Sequence, residues 1–343
     1  MRKWSIAFAA VASLHASALY WNSATAAPAI LGLDTVFALN DAGMAAGSMD
    51  GQAAESPAGS AGVALLGLPA GYSYAAAINN SGDIAGTYTD SRGYQQAFFW
   101  SAAAGVVPIG TLGGPMSIAM DINAAGQVVG QTLDASGALS AFLWSPGGGI
   151  SKIGDAASQN AVAIDDGGLV AYAQNPYPYR SQFGAIGNQS SPWILNFGGA
   201  GSVISAINNQ GWIVGQTGGQ GFLWTPDGSF NFGSAFLPAA INDSGEVLGS
   251  YQGQPAVWTR SGGFQLLDLE GYTGVAAVAI NDEGQIVGNT SSVPEPSAPP
   301  LCLAGAVLMA AGWRRARRRY LDLPGEFPCL RSPGPTLQGS PPR

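Results

Sequence analysis

The eleven residues AINDSGEVLGS, Ala240–Ser250, decide the fold. Apolar residues lead up to Ile241, an Asn-x-x-Gly stretch runs from Asn242 to Gly245, and Val247-Leu248 leads to a second glycine at Gly249. Asn hydrogen-bonds its own following backbone, and glycine adopts the left-handed conformation that ends such a turn, so the stretch reads as a β-hairpin.

The same pattern recurs along the chain. AINNSGDIAGT begins at Ala77, DINAAGQVVGQ at Asp121, AINNQGWIVGQ at Ala206 and AINDEGQIVGN at Ala279, with weaker copies ALNDAGMAAGS at Ala38 and AIDDGGLVAYA at Ala163. The turn Asn or Asp falls at 40, 79, 123, 165, 208, 242 and 281, a period near 40 residues. Fixed periodicity of that length marks a repeat architecture.

A second apolar run follows in most units: AFFW ending at Trp100, AFLW at Trp144, GFLW at Trp224, PAVW at Trp258 and, in the fourth unit, SPWIL around Trp193. Each is followed by a Gly-rich turn and a short run such as VVPIG before Thr111 or ISKIG before Asp155. That makes four strands per unit, and four strands of about five residues with their turns fill a period near 40, the size of a propeller blade. The expected fold is therefore all-β, a β-propeller of about seven four-stranded blades.

The array's ends point to closure. The copy at Ala279 holds only its first two strands, while Ile30-Leu31-Gly32-Leu33 stands alone as a last strand, so the two ends can complete one composite blade. The first unit is the irregular one, since Gly51–Ser56 (GQAAES) occupies the place of the AFLW run without a Trp. Six blades or an open array also fit the sequence. The in-phase tryptophans are expected to pack between neighbouring blades.

Residues Met1 to Ala26 read as a signal peptide: Arg2 and Lys3 form the positive start, Trp4 to Leu14 the apolar stretch, and Ala24-Thr25-Ala26 the small residues before a cut. Cleavage is expected after Ala26, because a cut one residue later would place Pro28 directly behind the scissile bond. The partner implied is signal peptidase. The repeat domain then spans 27–292.

Those 266 residues carry four cationic and 18 acidic side chains, a formal charge of −14, which argues against nucleic acid as a partner. The only His of the chain is His15, and the only cysteines are Cys302 and Cys329, so the domain itself contains neither. Ser-His-Asp and Cys-His nucleophiles and the usual zinc sites need residues it lacks. No catalytic residue, metal or cofactor is assigned, and stability is expected from buried apolar area without disulfides.

Three features of the sequence are candidate sites. Pairs such as Asp165-Asp166, Asn242-Asp243 and Asn281-Asp282 are too poor in carboxylates, turn by turn, for a calcium loop, so turn chemistry explains them. Paired carboxylates could hydrolyse a glycosidic bond without His, but no pair stands out. Asn175-Pro176-Tyr177-Pro178-Tyr179-Arg180 breaks the repeat, and Tyr177, Tyr179 and Arg180 form the candidate ligand loop, with aromatics suited to stacking on sugar rings.

The hairpin followed by AFLW resembles the extracellular HAF repeat family from Ala38 to Gly288, with Gln96 and Ser140 in place of the family's His. That resemblance implies an exported repeat protein and carries no activity with it. Val293-Pro294-Glu295-Pro296, an apolar run from Leu301 to Trp313 and the cluster Arg314, Arg315, Arg317, Arg318 and Arg319 resemble the PEP-CTERM sorting signal of bacteria that make extracellular polysaccharide. The resemblance implies that residues 293–319 are read by an exosortase-type processing enzyme, with the arginines cytoplasmic. As a helix the 13 residues from Leu301 to Trp313 would span about 20 Å against roughly 30 Å of hydrocarbon, which suits a transient inner-membrane contact better than a permanent anchor. The Pro-rich stretch 320–343 reads as a disordered tail.

The sequence therefore leads to an exported, envelope-associated or extracellular structural or binding module, with extracellular polysaccharide as candidate ligand. The alternative is a carboxylate-dependent glycan hydrolase or lyase on the same scaffold.

Overall fold

A computed structural model describes residues 17–291, except 58, 61, 154–157, 175–182, 189–190 and 194–202. Seven antiparallel four-stranded sheets account for every strand in it. The first strands of the sheets touch one another in sequence order, and that of the seventh (Ala276–Ile280) touches that of the first (Thr35–Leu39), so they line a closed ring. The fold is a seven-bladed β-propeller, which excludes six blades and the open array.

Blade 3 shows how the repeat makes a blade. Its strands, Gly113–Ile122, Val128–Asp134, Leu139–Ser145 and Gly149–Lys152, run outward from the axis in chain order. The hairpin between the first two is the Asn-x-x-Gly turn, with Gly126 at φ 72°. Two residues before that turn's Ile the register slips between Ala119 and Asp121, a β-bulge found at the same place in all seven blades. The bulge drives the first strand's backbone against the second strand at the motif's final glycine. A Cβ on Gly130 would run into the carbonyl oxygen of Ile118 and lie 2.9 Å from the Phe142 ring, so no side chain fits there.

The core sits between blades, where seven apolar clusters occupy the seven blade interfaces. The in-phase tryptophans lie in these seams. Trp144 meets Phe99 of blade 2 at 5.2 Å, Trp258 meets Phe232 of blade 5 at 5.0 Å, and Trp100 and Trp224 pack against the seams with blades 1 and 4. In blade 1, Ser56 pairs with Ala45 where five other blades pair a Trp, and it is fully buried.

Two details differ from the sequence reading. In blade 4 the third strand is Phe183–Asn188, and Trp193 ends the outer strand Ser191–Trp193, because Phe183–Gly187 already pairs with Val170–Gln174 and leaves only the outer place. The larger difference is at the N terminus. Blade 7 takes its first two strands from Ala276–Ile280 and Ile286–Thr290 and its outer strand from Ala29–Ile30, but its third strand is Ser17–Trp21, within the stretch read as leader. The folded domain thus includes the ten residues before the boundary at 27.

Candidate functional site

An antiparallel meander puts the first-to-second and third-to-fourth turns of every blade on one face. On that face the repeated turns converge around the axis. The leading Asn of each turn uses both ends of its amide. Asn79 Oδ1 accepts the backbone N–H of Ser81 at 3.0 Å and of Asp83 at 2.9 Å, closing its own turn. Its Nδ2 donates across the blade interface to the carbonyl of Asn123 at 3.1 Å. The same bridge runs from Asn40 to Asn79, from Asn123 to Asp165, from Asn208 to Asn242, from Asn242 to Asn281 and from Asn281 to Asn40. These groups are buried, so an acceptor and a donor are both needed, and the Asn amide supplies one at each end. Blade 4 is the gap, because Asp165 has no N–H to offer.

The next residue of each turn, except Ala124 in blade 3, makes a second ring that is open between Asn80 and Ala124. Its side-chain oxygen accepts the backbone N–H of its counterpart in the preceding blade: Asp41 to Asn80, Ala124 to Asp166, Asp166 to Asn209, Asn209 to Asp243, Asp243 to Asp282 and Asp282 to Asp41. Asn209 Nδ2 also bridges the carboxylates of Asp166 and Asp243, each at 2.9 Å. The result is a channel mouth of about 220 Å³ rimmed by four aspartates from four blades. Burial, then the neighbouring charges of Asp243 and Asp41, pushes the Asp282 carboxyl above its usual range.

Below the rim lies Asp121, standing where six blades have Ala. Its carboxylate spans two blades, accepting the N–H of Ile122 and of Ile164, both at 2.9 Å. Water reaches part of it along the channel, but protein surrounds it, and burial pushes its pKa up to about 6 despite those two bonds, with Asp166 adding to the rise. Among the described residues no group of three or more His, Cys, Asp or Glu is placed to hold a metal ion.

Two clefts flank the third-to-fourth turn of blade 6 on the same face. The larger, about 380 Å³, lies between blades 6 and 7 and gathers Glu246, Asp282 and Glu283 opposite Ser23, Ala24 and Thr25. The smaller, about 260 Å³, lies between blades 5 and 6 and is lined by Thr225, Asp227, Ser229, Phe230 and Arg260. Phe230 is 45% exposed, yet its ring is held against Trp258 at 5.1 Å and Phe232 at 5.0 Å. Arg260 is exposed, and the one ion pair among the described residues is Arg92–Asp90. A fixed aromatic face beside an uncommitted guanidinium and short polar side chains is a surface for a polar ring with an apolar face.

Most of the sequence-predicted sites are not among the described residues. Tyr177, Tyr179 and Arg180 lie outside the described residues, as do Val293, Pro294, Glu295, Pro296, the apolar run 301–313 and the arginines 314–319. Ala26 sits in the turn between the third and outer strands of blade 7, its N–H bonded to the Ser23 carbonyl at 3.0 Å. Sequence reasoning missed Asp121, Phe230 and Arg260, although Asp121 breaks the AIN motif and Arg260 is one of four cations in the domain.

No curated protein matches the chain. Among solved structures, TolB from Agrobacterium tumefaciens is similar at 9% identity and a TM-score of 0.49, covering 82% of this chain and 99% of that one. TolB from Acinetobacter baumannii is 14% identical with a TM-score of 0.45, covering 64% of each chain. The β-propeller domain of the Trilobed protease from Pyrococcus furiosus is 10% identical with a TM-score of 0.37, covering 68% of this chain and 98% of that one. The fold assignment rests on the sheet topology above and not on these likenesses. The family model that does match is the PEP-CTERM protein-sorting motif, over residues 292–319, so the chain carries a sorting signal of the kind that exosortase-type enzymes recognise on exported proteins.

Proposed function

We propose that this protein is an exported, envelope-associated or extracellular propeller of the HAF-repeat type that binds extracellular polysaccharide without cleaving it. Its C-terminal signal is processed by an exosortase-type enzyme. The observation that carries the binding reading is the cleft between blades 5 and 6, where Phe230 offers a rigid apolar face to the C–H side of a sugar ring and Arg260, Asp227 and Ser229 stand ready for its hydroxyls. The domain's charge of −14 favours a neutral or amino-substituted glycan over a polyanion.

A second reading, glycan hydrolysis or elimination, is favoured by the gathering of Glu246, Asp282 and Glu283 in the larger cleft, since paired carboxylates are the minimal machinery for that chemistry. The two are separated by incubating the exported protein with neutral, amino-substituted and polyanionic polysaccharides while assaying reducing ends and unsaturated products. Retention without new ends supports the binding reading, and new ends overturn it. Sorting is tested separately by replacing Arg314, Arg315, Arg317, Arg318 and Arg319 with Gln. Processing or retention in the envelope is expected to change, and an identical product in the same fraction contradicts the sorting reading.

A further inference from the structure

Blade 7 cannot be completed without residues that the leader reading removes. Ser17–Trp21 pairs along its whole length with Ile286–Thr290 on one side, and Leu19-Tyr20 pairs with Ala29-Ile30 on the other. Leu19 and Trp21 are fully buried in the seam with blade 6, packed with Leu248 and Val257, and the Trp21 indole N–H donates to the Asp268 carbonyl at 2.7 Å.

The match to the repeat is residue by residue. Ala18-Leu19-Tyr20-Trp21 stands in phase with Ala141-Phe142-Leu143-Trp144, with Trp21 opposite Ile286 as Trp144 is opposite Val128. The hydrogen bond that ties a blade's outer strand to its third also recurs: Leu31 N–H to the Ala18 carbonyl at 2.9 Å, against Ile153 to Ala141 at 3.0 Å and Ile109 to Ala97 at 3.0 Å. A leader discarded on export has no reason to carry a blade strand in register.

We infer that residues 17–26 stay in the exported protein, as the third strand and following turn of the closing blade, and that the leader removed on export ends at or before Ala16. Met1 to Ala16 keeps Arg2, Lys3 and the apolar stretch from Trp4 to Leu14, and Ala10-Val11-Ala12 supplies a small-x-small site within it. A cut after Ala26 would leave Ala29–Ile30 without its partner, open the edge of Ile286–Thr290 and take away Ser23, Ala24 and Thr25, one wall of the larger cleft. Ala24-Thr25-Ala26 has small residues because it forms a turn.

The inference rests on the export reading, and N-terminal sequencing of the full chain recovered from outside the cytoplasm tests the two apart. The expected N terminus is Ser17 or a residue before it other than Met1, and the variant Ala26→Arg, which places a residue that signal peptidase rejects before the later bond, is expected to give the same N terminus. An exported chain beginning at Ala27, or anywhere past Ser17, overturns the inference alone, as does loss of processing in Ala26→Arg. A chain that stays in the cytoplasm with Met1 intact overturns the export reading together with it.

Discussion

The side-chain amide of Asn281 donates to the carbonyl of Asn40 at 3.0 Å, joining residues 241 positions apart. It is the same bond that links consecutive blades elsewhere, so the closing interface is built like an internal one. Removing it in Asn281→Ala leaves the buried Asn40 carbonyl with the Gly43 N–H alone and releases the Gln285 N–H from Oδ1. A loss of about 1–3 kcal/mol is expected, read as a lower Tm in thermal melts.

Blade 4 offers the reverse test. Burial raises the Asp165 carboxyl above its ordinary range. Asp165→Asn keeps an oxygen for the Leu169 N–H, now bonded at 2.7 Å, and supplies the missing donor toward Asn208. At pH 7 the variant is expected to gain roughly 0.5–1.5 kcal/mol. Because the folded value lies above the unfolded one, the wild type recovers stability as the pH falls through the folded value, so the gain should shrink in acid. A variant less stable than wild type at pH 7 would contradict the ring account.

Asp121 sets a second pH dependence. Its folded pKa of about 6 exceeds the ~3.9 of an unfolded Asp, so its contribution to stability is fully present below the unfolded value and is lost as the pH rises through 6. Denaturant unfolding at pH 4.5 and pH 7.5 measures this directly. Asp121→Ala, the residue that the other blades carry, should flatten the difference by an amount on the order of 1–2 kcal/mol. An unchanged difference would show that the carboxylate is not held as described.

Gly130 and Gly137 separate close approach from turn geometry. Gly130→Ala meets the Ile118 carbonyl and is expected to cost about 2–3 kcal/mol or more, a fall in Tm of roughly 5–10 °C. Gly137, at φ +82° with nothing within 4 Å of a Cβ, pays only the left-handed backbone, about 1 kcal/mol. Equal losses would mean that the bulge does not press the strands together as described.

Much of this was legible because each blade repeats its chemistry. Asn before x-x-Gly marked the hairpins, and the phased Trp run marked the third strands, so blade size and near count followed from the chain alone. What the sequence hid arises from summation and from context. Each turn taken singly has too few carboxylates to stand out, and only the ring sets Asp41, Asp243 and Asp282 side by side. Asp121 stood in plain view as a broken AIN motif, but nothing in the chain says that its position faces the axis. Phe230 lies in an outer strand that varies between blades, and its pairing with Trp258 comes from the neighbouring blade. The strand Ser17–Trp21 was concealed by its apolar character, which serves a leader and a blade seam equally well.

The cleft between blades 5 and 6 is the surface proposed to hold a glycan. The most direct measurement compares retention of the exported wild type and of Phe230→Ala with Arg260→Ala on the polysaccharide that holds the wild type, with Tm recorded for both. Loss of a fixed aromatic face and a guanidinium is expected to weaken retention at least about tenfold, some 1.4 kcal/mol, with the fold kept and Tm lowered by a few degrees as the Phe230 ring leaves Trp258 and Phe232. Undiminished retention by the double variant would contradict the account.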